Sequence, residues 1–395
     1  MKNKMLGLLL VSIVLLGACA AKTEDAQSSA ATEESAAATT ESVVENKVDD
    51  AAIKKEIQTM REELATVKTA VEEQNAAEIL KTAKVMHKHW LDFENQVRQA
   101  YPLEYSTVEK YETPIFYGSQ YEAPDFEALS ENIAGLEESL TKLENAKQTK
   151  AKTSEVLNQA VANYQDYLVE QSDLFISETK KFTDAVRAGD IETAKNEYGK
   201  ARVYYERIEP VAESFGDLDP MIDARINDVD SEADWTGFHV IERALWEDNT
   251  TAGMEKFADK LDEDAQKLGE QIQTLKMEPT QMVAGAMELL NEAATTKITG
   301  EEEAYSHTDL IDLAANVEGS KVVYQAIIPA LNENDSELAD NLDSQFNKME
   351  ETLANYQSGD SYVAYTELSK DQIREISTEL STLAELMAQT GAIFN

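Results

Sequence analysis

From residue 51 onward the apolar side chains recur every three or four positions, and no stretch alternates convincingly with a period of two. Phe126, Leu129, Ile133, Leu136, Leu140 and Leu143 show the pattern most plainly and predict one bundle-type helix. Segments of this kind bury their apolar stripes only by packing helix on helix, so the expected fold class is all-α. With 395 residues the chain is long enough for two or three domains.

Punctuation in the sequence places the helices. A charged amphipathic stretch runs from Ala51 to about Val71, and Asn75 with Glu78 reads as a capping box opening a helix to about Ala100. Pro102 and Pro114 bracket an aromatic-rich connection holding Tyr105, Tyr111, Phe116, Tyr117 and Tyr121. A long helix is expected from Thr153 to about Ala188, a turn at Gly189-Asp190, and a helix capped by Asp190 that Pro210 kinks or ends. Further helices are expected at Met254 to Leu275, at Thr280 to Ala294, and from about Lys321 to Ala392 with breaks at Pro329 and Gly359.

The first residues read as an address. Lys2 and Lys4 precede an apolar run from Met5 to Leu16 that is too short to span a bilayer, and Leu16-Gly-Ala-Cys19 resembles the lipobox of bacterial lipoproteins. Cys19 is the only cysteine, so it has no disulfide partner within the chain and reads as the acylated first residue after cleavage. The expected organisation is a signal peptide over 1–18, a disordered tether over 19–50 rich in Ala, Ser, Thr and Glu, an N-terminal helical domain over 51–148, and a larger helical domain over 149–395. The chain carries 76 acidic against 35 basic residues, a net charge of -41, which argues against nucleic acid as a partner and favours cations.

Two stretches concentrate chemistry. In Trp235 to Trp246, His239 and Glu242 stand one helical turn apart beside the stripe of Phe238, Ile241 and Leu245, so both face inward. Glu206, Glu209 and Glu213 also stack on one helix face, where like charges repel unless a cation neutralises them, and Pro210 frees a backbone carbonyl beside them. Solvated acids and chance pairs are the bland alternatives. The metal-binding reading takes His239, Glu242, Glu209 and Glu213 as the primary ligand set, with Asp219, Asp223, His307 and Asp309 as further ligands or as groups that orient them. In the second stretch, Lys297 to Leu310, Thr299 with Glu302 and Ser306 with Asp309 read as two capping boxes. His87 and Glu94, two turns apart on one face, are candidates for a second metal site.

The segments Ile208-Glu-Pro-Val-Ala-Glu213, Leu218-Asp-Pro220, Ile222-Asp-Ala-Arg225 and Trp235-Thr-Gly-Phe-His-Val-Ile-Glu242, followed by Ile298-Thr-Gly-Glu301 and Tyr305-Ser-His-Thr-Asp-Leu310, occur in the order found in the imelysin-like family. The resemblance extends from about Thr153 to the C-terminus and is to the EfeO/EfeM-type iron-uptake lipoproteins. It implies two four-helix-bundle-like lobes preceded here by an extra N-terminal helical region, with a metal site around Gly237-x-His239-x-x-Glu242. Some relatives carry a cupredoxin-like domain instead; this N-terminal region has no Cys or Met pattern for copper.

Two functions follow from the resemblance. The first is a lipid-anchored extracytoplasmic protein, in the periplasm or on the bacterial cell surface, that binds iron as Fe2+ or Fe3+ and delivers it to a membrane iron permease, alongside a haem-peroxidase partner. Carboxylates with one imidazole suit iron, and zinc fits the same ligands. The second is an imelysin-like metallopeptidase of the cell surface, for which neither the helical His-Glu-x-x-His pattern nor its inverse is present. Anchoring is tested directly: Cys19→Ser is expected to release the protein or leave an uncleaved precursor, and a variant fractionated and processed like wild type would refute the lipoprotein reading.

Overall fold

The computed structural model describes residues 50–121, 123–147, 154–216, 218–229, 231–359 and 361–394; the expected signal peptide, Cys19 and nearly all of the expected tether fall outside them. Helices make up almost all of it. The N-terminal part is α1 (Asp50–Glu72), α2 (Ala76–Ala100), α3 (Pro102–Gly118) and α4 (Phe126–Asn145), which close around an apolar cluster of their own that includes Ile57, Leu64, Trp90, Val108 and Leu136. The Asn75 carboxamide accepts from the Glu78 amide, and Asp125 caps α4 in the same way. The aromatic-rich connection is itself the helix α3, a departure from the sequence expectation. Pro102 sits in its first turn, where no amide donor is needed, and the burial of Tyr105, Val108, Ile115 and Phe116 carries the helix through Pro114.

Beyond residue 153 come α5 (Glu155–Ala188), α6 (Ile191–Ala212), the short α7 (Leu218–Asp223) and α8 (Phe238–Trp246), then α9 (Glu255–Thr274), α10 (Pro279–Thr295), α11 (Asp309–Asn334), α12 (Ser336–Ala354) and α13 (Lys370–Gln389). Gly189 ends α5 in the left-handed region and Asp190 caps α6, as the sequence predicts. Two bundles result, α5, α6, α9 and α11 in one and α10 to α13 in the other. Because α11 belongs to both, a single apolar cluster runs through the two. The break expected at Pro329 is absent: Val323, Tyr324, Ile327, Ala330 and Leu331 are buried on either side of it, and packing outweighs one lost backbone bond. Extended structure among the described residues is confined to Gln357–Ser358 pairing with Ser361–Tyr362.

All the described residues belong to one compact unit. The α1–α4 bundle seats α3 on α10, where Ser106 Oγ donates to the Ala284 carbonyl at 3.0 Å. No described helix is long and apolar enough to cross a membrane.

Helix α6 is approached closely from two sides. A Cβ at Gly285 of α10 would overlap the Pro210 carbonyl, and one at Gly319 of α11 would overlap the Arg207 carbonyl. Helix propensity alone would make Gly285→Ala stabilising by up to ~1 kcal/mol. The steric argument gives the opposite sign, a loss on the order of 2 kcal/mol, because the obstructing atoms are backbone and cannot swing aside. Chemical denaturation of the variant decides between the two, and an unchanged or raised midpoint would show that α10 and α6 move apart freely.

Candidate metal centre

Arg202 of α6 lies within the first bundle with no exposed surface. Its Nη1 donates to Asp223 Oδ1 and its Nη2 to Glu206 Oε1. Nε stands 2.9 Å from Glu303 Oε1 but off the hydrogen-bond direction, and Nη2 is 3.5 Å from Asp312 Oδ2 and 3.7 Å from Glu302 Oε1. One buried guanidinium thus gathers acids from α6, the end of α7, the loop before α11, and α11 itself. A guanidinium at such depth is tolerated only when its charge and donors are met.

Glycine sets the position of the histidine. Gly237 has φ 90° and presses against α7 so closely that a Cβ would overlap the Ile222 carbonyl. Trp235 Nε1 donates to the Ala224 carbonyl at 2.6 Å and Thr236 Oγ1 to the Met221 carbonyl at 2.9 Å, which bind the start of α8 to the end of α7. His239, the second residue of α8, is therefore delivered to Asp223, with Nε2 3.4 Å from Asp223 Oδ1. On its other side Nδ1 lies 3.0 Å from Glu242 Oε2. Glu242 Oε1 accepts from the backbone amides of Tyr305 at 2.9 Å and Ser306 at 2.7 Å, so α8 and the 297–309 loop hold each other.

That loop carries two acids outside the sequence-read ligand set, Glu302, read there as a capping residue, and Glu303. Glu302 does not cap a helix: Arg225 Nη1 donates to it at 3.1 Å and Lys297 Nζ is 3.5 Å away. Glu303 is fully buried and accepts from Tyr198 Oη at 3.1 Å and Ser306 Oγ at 2.7 Å. The Ser306–Asp309 box is absent too. Asp309 Oδ1 accepts instead from the Glu303 amide at 3.1 Å, because three cations, the buried Arg202 and Lys297 and the half-buried Arg225, draw this acidic loop inward. Two groups of possible ligands then share the imidazole: Asp223, His239 and Glu302, and His239, Glu242 and Glu303, with the ligand atoms of each group within 4.8 Å of one another.

Burial alone would strip His239 of its proton, yet the carboxylates of Asp223 and Glu242 on its two sides reverse the effect and hold its pKa well above the ordinary value. Burial likewise opposes ionisation of Asp223, Glu242 and Glu302, but Arg202, His239 and Lys297 respectively hold them below the usual range. Glu303 has no such net gain: burial and the neighbouring Glu242 push it up to about 8. Burial raises Asp309 to about 6 and lifts Asp312 well above its ordinary value. Several buried polar atoms in this cluster have no hydrogen-bond partner, among them His239 Nε2, Asp309 Oδ2 and Asp312 Oδ1. Buried polar atoms are normally satisfied, so orphans beside excess acid are compatible with a cation site.

The sequence-predicted residues are distributed around this centre. His239, Glu242 and Asp223 are brought together. Glu209 faces a separate cluster, accepting from Lys297 Nζ at 2.7 Å and Asn316 Nδ2 at 2.9 Å, and burial with Glu206 beside it raises its pKa well above the ordinary value. The backbone of Glu213 lies in a short 3-10 turn after α6, and its side chain is outside the described parts. The carbonyl freed by Pro210 is that of Glu206, and Asn316 Nδ2 takes it at 3.1 Å. Asp219 accepts from Tyr205 Oη. His307 contributes its backbone, donating to the Glu303 carbonyl at 2.8 Å from a φ of 60°. His87 pairs with Glu112 at 3.1 Å and stacks on Phe116, while the Tyr105 hydroxyl is 3.5 Å from Glu94. Arg202, Lys297, Glu302, Glu303 and Asp312 escaped the site reading. A signal was available: Arg202, Glu206 and Glu209 on one helix and Asp309, Asp312 and Asn316 on another repeat at three and four positions within apolar runs.

A cleft of about 540 Å³ between the α2–α3 pair and the second half of the chain reaches Glu209, Asp223 and Glu302. A smaller cavity of about 50 Å³, bounded by Tyr117, Trp235 and Tyr305, reaches His239 and Glu242. The donors are carboxylates and one imidazole with no thiolate, a hard set suited to iron and to other cations of similar preference.

The imelysin family pattern, peptidase M75, matches residues 160–390. The iron uptake system component EfeM of Bacillus subtilis is 45% identical over 331 residues, 84% of this chain and 86% of that protein. An EfeM/EfeO family lipoprotein of Staphylococcus haemolyticus is 39% identical over 266 residues, 66% of this chain and 93% of its own. The iron uptake system component EfeO of Escherichia coli strain K12 is 42% identical over 240 residues, 60% of this chain and 64% of its own.

The buried acids predict a pH dependence of stability. Glu303 and Asp309 have folded pKa values near 8 and 6, above the ordinary 4.5 and 3.8, so the folded chain binds more protons than the unfolded chain across that interval. Their contribution is complete below pH about 4 and is lost as pH rises through 8. Metal-free protein, melted in a pH series after chelation, is expected to unfold at a lower temperature at pH 8 than at pH 5.5. Glu303→Gln should flatten that slope, and a melting temperature that climbs across the interval in wild type would contradict the assignment.

Proposed function

This chain belongs to the imelysin family, and from that premise we propose that it is the extracytoplasmic iron-binding component of an Efe-type uptake system, a lipoprotein that captures iron at the His239–Glu242 centre and passes it to a membrane permease. The observation that carries the reading is His239 itself. It is 2% exposed, its Nε2 is unpartnered, and Asp223, Glu242, Glu302 and Glu303 surround its two nitrogens. The names of the relatives point to iron, and none points to zinc. Delivery to a permease, a haem-peroxidase partner and the lipid anchor are parts of the proposal that follow from membership of such a system.

The residues supply capture and discharge by exchanging protons for metal. A cation entering by the cleft meets Asp223 and Glu302 first and displaces the proton held on His239. Arg202, Arg225 and Lys297 offset part of the acid charge, which moderates the attraction and leaves the ion removable by a partner. The family's peptidase name carries a second reading. Against it, His239 and Glu242 meet a cavity of only about 50 Å³, which leaves a polypeptide substrate no room at those ligands.

Metal analysis of protein purified without added metal is the direct test. Wild type is expected to bind iron at neutral pH and to release protons as it does so, with affinity falling as pH falls. His239→Ala should weaken binding by more than about tenfold, whereas Glu255→Ala, an exposed acid at the start of α9, should not. Equal affinities in all three, or cleavage of an unfolded protein substrate by the metal-loaded chain, would overturn the reading.

A further inference from the structure

The α1–α4 bundle has no part in the centre as described so far, yet its aromatic helix α3 ends against the acids of that centre. Tyr117, one residue from the end of α3, donates from its hydroxyl to Asp228 Oδ1 at 3.0 Å and accepts from Arg225 Nη2. The Arg225 guanidinium also lies over the tyrosine ring, 4.6 Å from its centroid. Arg225 is in turn fixed by Asp228, through its backbone amide at 2.9 Å and its Nε at 3.0 Å. Its remaining nitrogen, Nη1, donates to Glu302 Oε2 at 3.1 Å. A chain of contacts therefore leads from the N-terminal bundle through Tyr117 and Arg225 to a carboxylate of the Asp223–His239–Glu302 group. Arg225 is also two residues from Asp223, so fixing the one restrains the backbone that carries the other.

We propose that Tyr117 is a positioning residue for the metal centre: through Arg225 it holds Glu302 and the Asp223 segment in place, so that the N-terminal bundle sets how firmly the centre retains its ion. This rests on the metal-binding reading above. The physical basis is that an acid ligand is pre-organised when its hydrogen-bonding partners are themselves locked, and loosening such a partner commonly costs 10- to 100-fold in metal affinity. The hydroxyl is the sensitive atom. Without it, Arg225 keeps the ring face and its bonds to Asp228 but loses an acceptor, and Asp228 loses a donor, so the guanidinium is held less firmly towards Glu302. A contact supplied by a separate bundle is also one that a partner can break, by shifting α3, without touching the ligands.

Tyr117→Phe removes that one atom and keeps the ring. Tyr121→Phe is the comparison: Tyr121 also reaches the acidic loop, at 3.3 Å from Glu301 Oε2, but Glu301 belongs to neither ligand group. Full-length wild type, both variants and His239→Ala are loaded with Co2+, and the ion is withdrawn by a chelator while the visible spectrum is followed. The expected result is release roughly tenfold faster in Tyr117→Phe with altered Co2+ bands, and wild-type rate and bands in Tyr121→Phe. Amide exchange in metal-free protein gives a readout without the ion: Tyr117→Phe should speed exchange across residues 301–309, where Glu242 holds two backbone amides. Wild-type release, bands and exchange in Tyr117→Phe, beside a His239→Ala that has lost the metal, overturn the positioning role and leave the metal reading standing. A wild type that takes up no Co2+ and no iron overturns both.

Discussion

The arrangement of this molecule around its centre depends on one buried charge. Arg202 has no access to water, and a bare guanidinium at that depth would cost several kcal/mol. Its fork is met by Glu206 from its own helix, Asp223 from α7, Glu303 from the acidic loop and Asp312 from α11. Elements far apart in sequence are thereby forced to one point. The acids exceed what Arg202 neutralises, so Lys297 and Arg225 are also drawn in, and His239 keeps its proton against the effect of burial. The centre is over-supplied with negative charge by construction, and burial raises the proton affinity of Glu303, Asp309 and Asp312.

Close packing gives that charge its geometry. Gly237 lets the start of α8 lie on the end of α7, and this contact, with the Trp235 and Thr236 hydrogen bonds, brings His239 to Asp223. Gly285 and Gly319 let α10 and α11 reach the carbonyls of α6 on either side of Pro210, where Asn316 takes up the bond that the proline releases. In a helical protein the side chains usually set the spacing between axes. Here, at three positions, their absence does.

Much of this was legible in the sequence, and the rest was hidden for physical reasons. Apolar periodicity gave the all-α class and nearly every helix, because a stripe at three and four positions has one way to be buried. It misjudged Pro114 and Pro329, since a proline removes one backbone bond while flanking buried side chains keep the helix intact. The spacing of His239 and Glu242 pointed to the buried acid cluster in which both lie, and Pro210 was read as freeing a carbonyl that does find a side chain. Glu302 and Glu303 were hidden because Ser, Thr and Glu near a helix start look alike whether they cap it or turn inward. Only the three-dimensional position of Arg202, Arg225 and Lys297 tells the cases apart. The α3 tyrosines were visible as a cluster of rings, but a hydroxyl's partner more than a hundred residues away has no trace in local sequence.

The sharing of α11 between two bundles has a consequence for how such a chain can change over generations. A cut between the bundles would leave one of them without a wall, so the stretch from α5 to α13 is inherited or lost as a single piece. The α1–α4 bundle is different, for it closes its own apolar cluster and touches the remainder along α3. Exchanging it for another bundle would bring a new residue to the place where Tyr117 now stands. On the proposed reading, such a replacement would change how firmly Arg225 and Glu302 are held while leaving His239, Glu242 and Asp223 as they are.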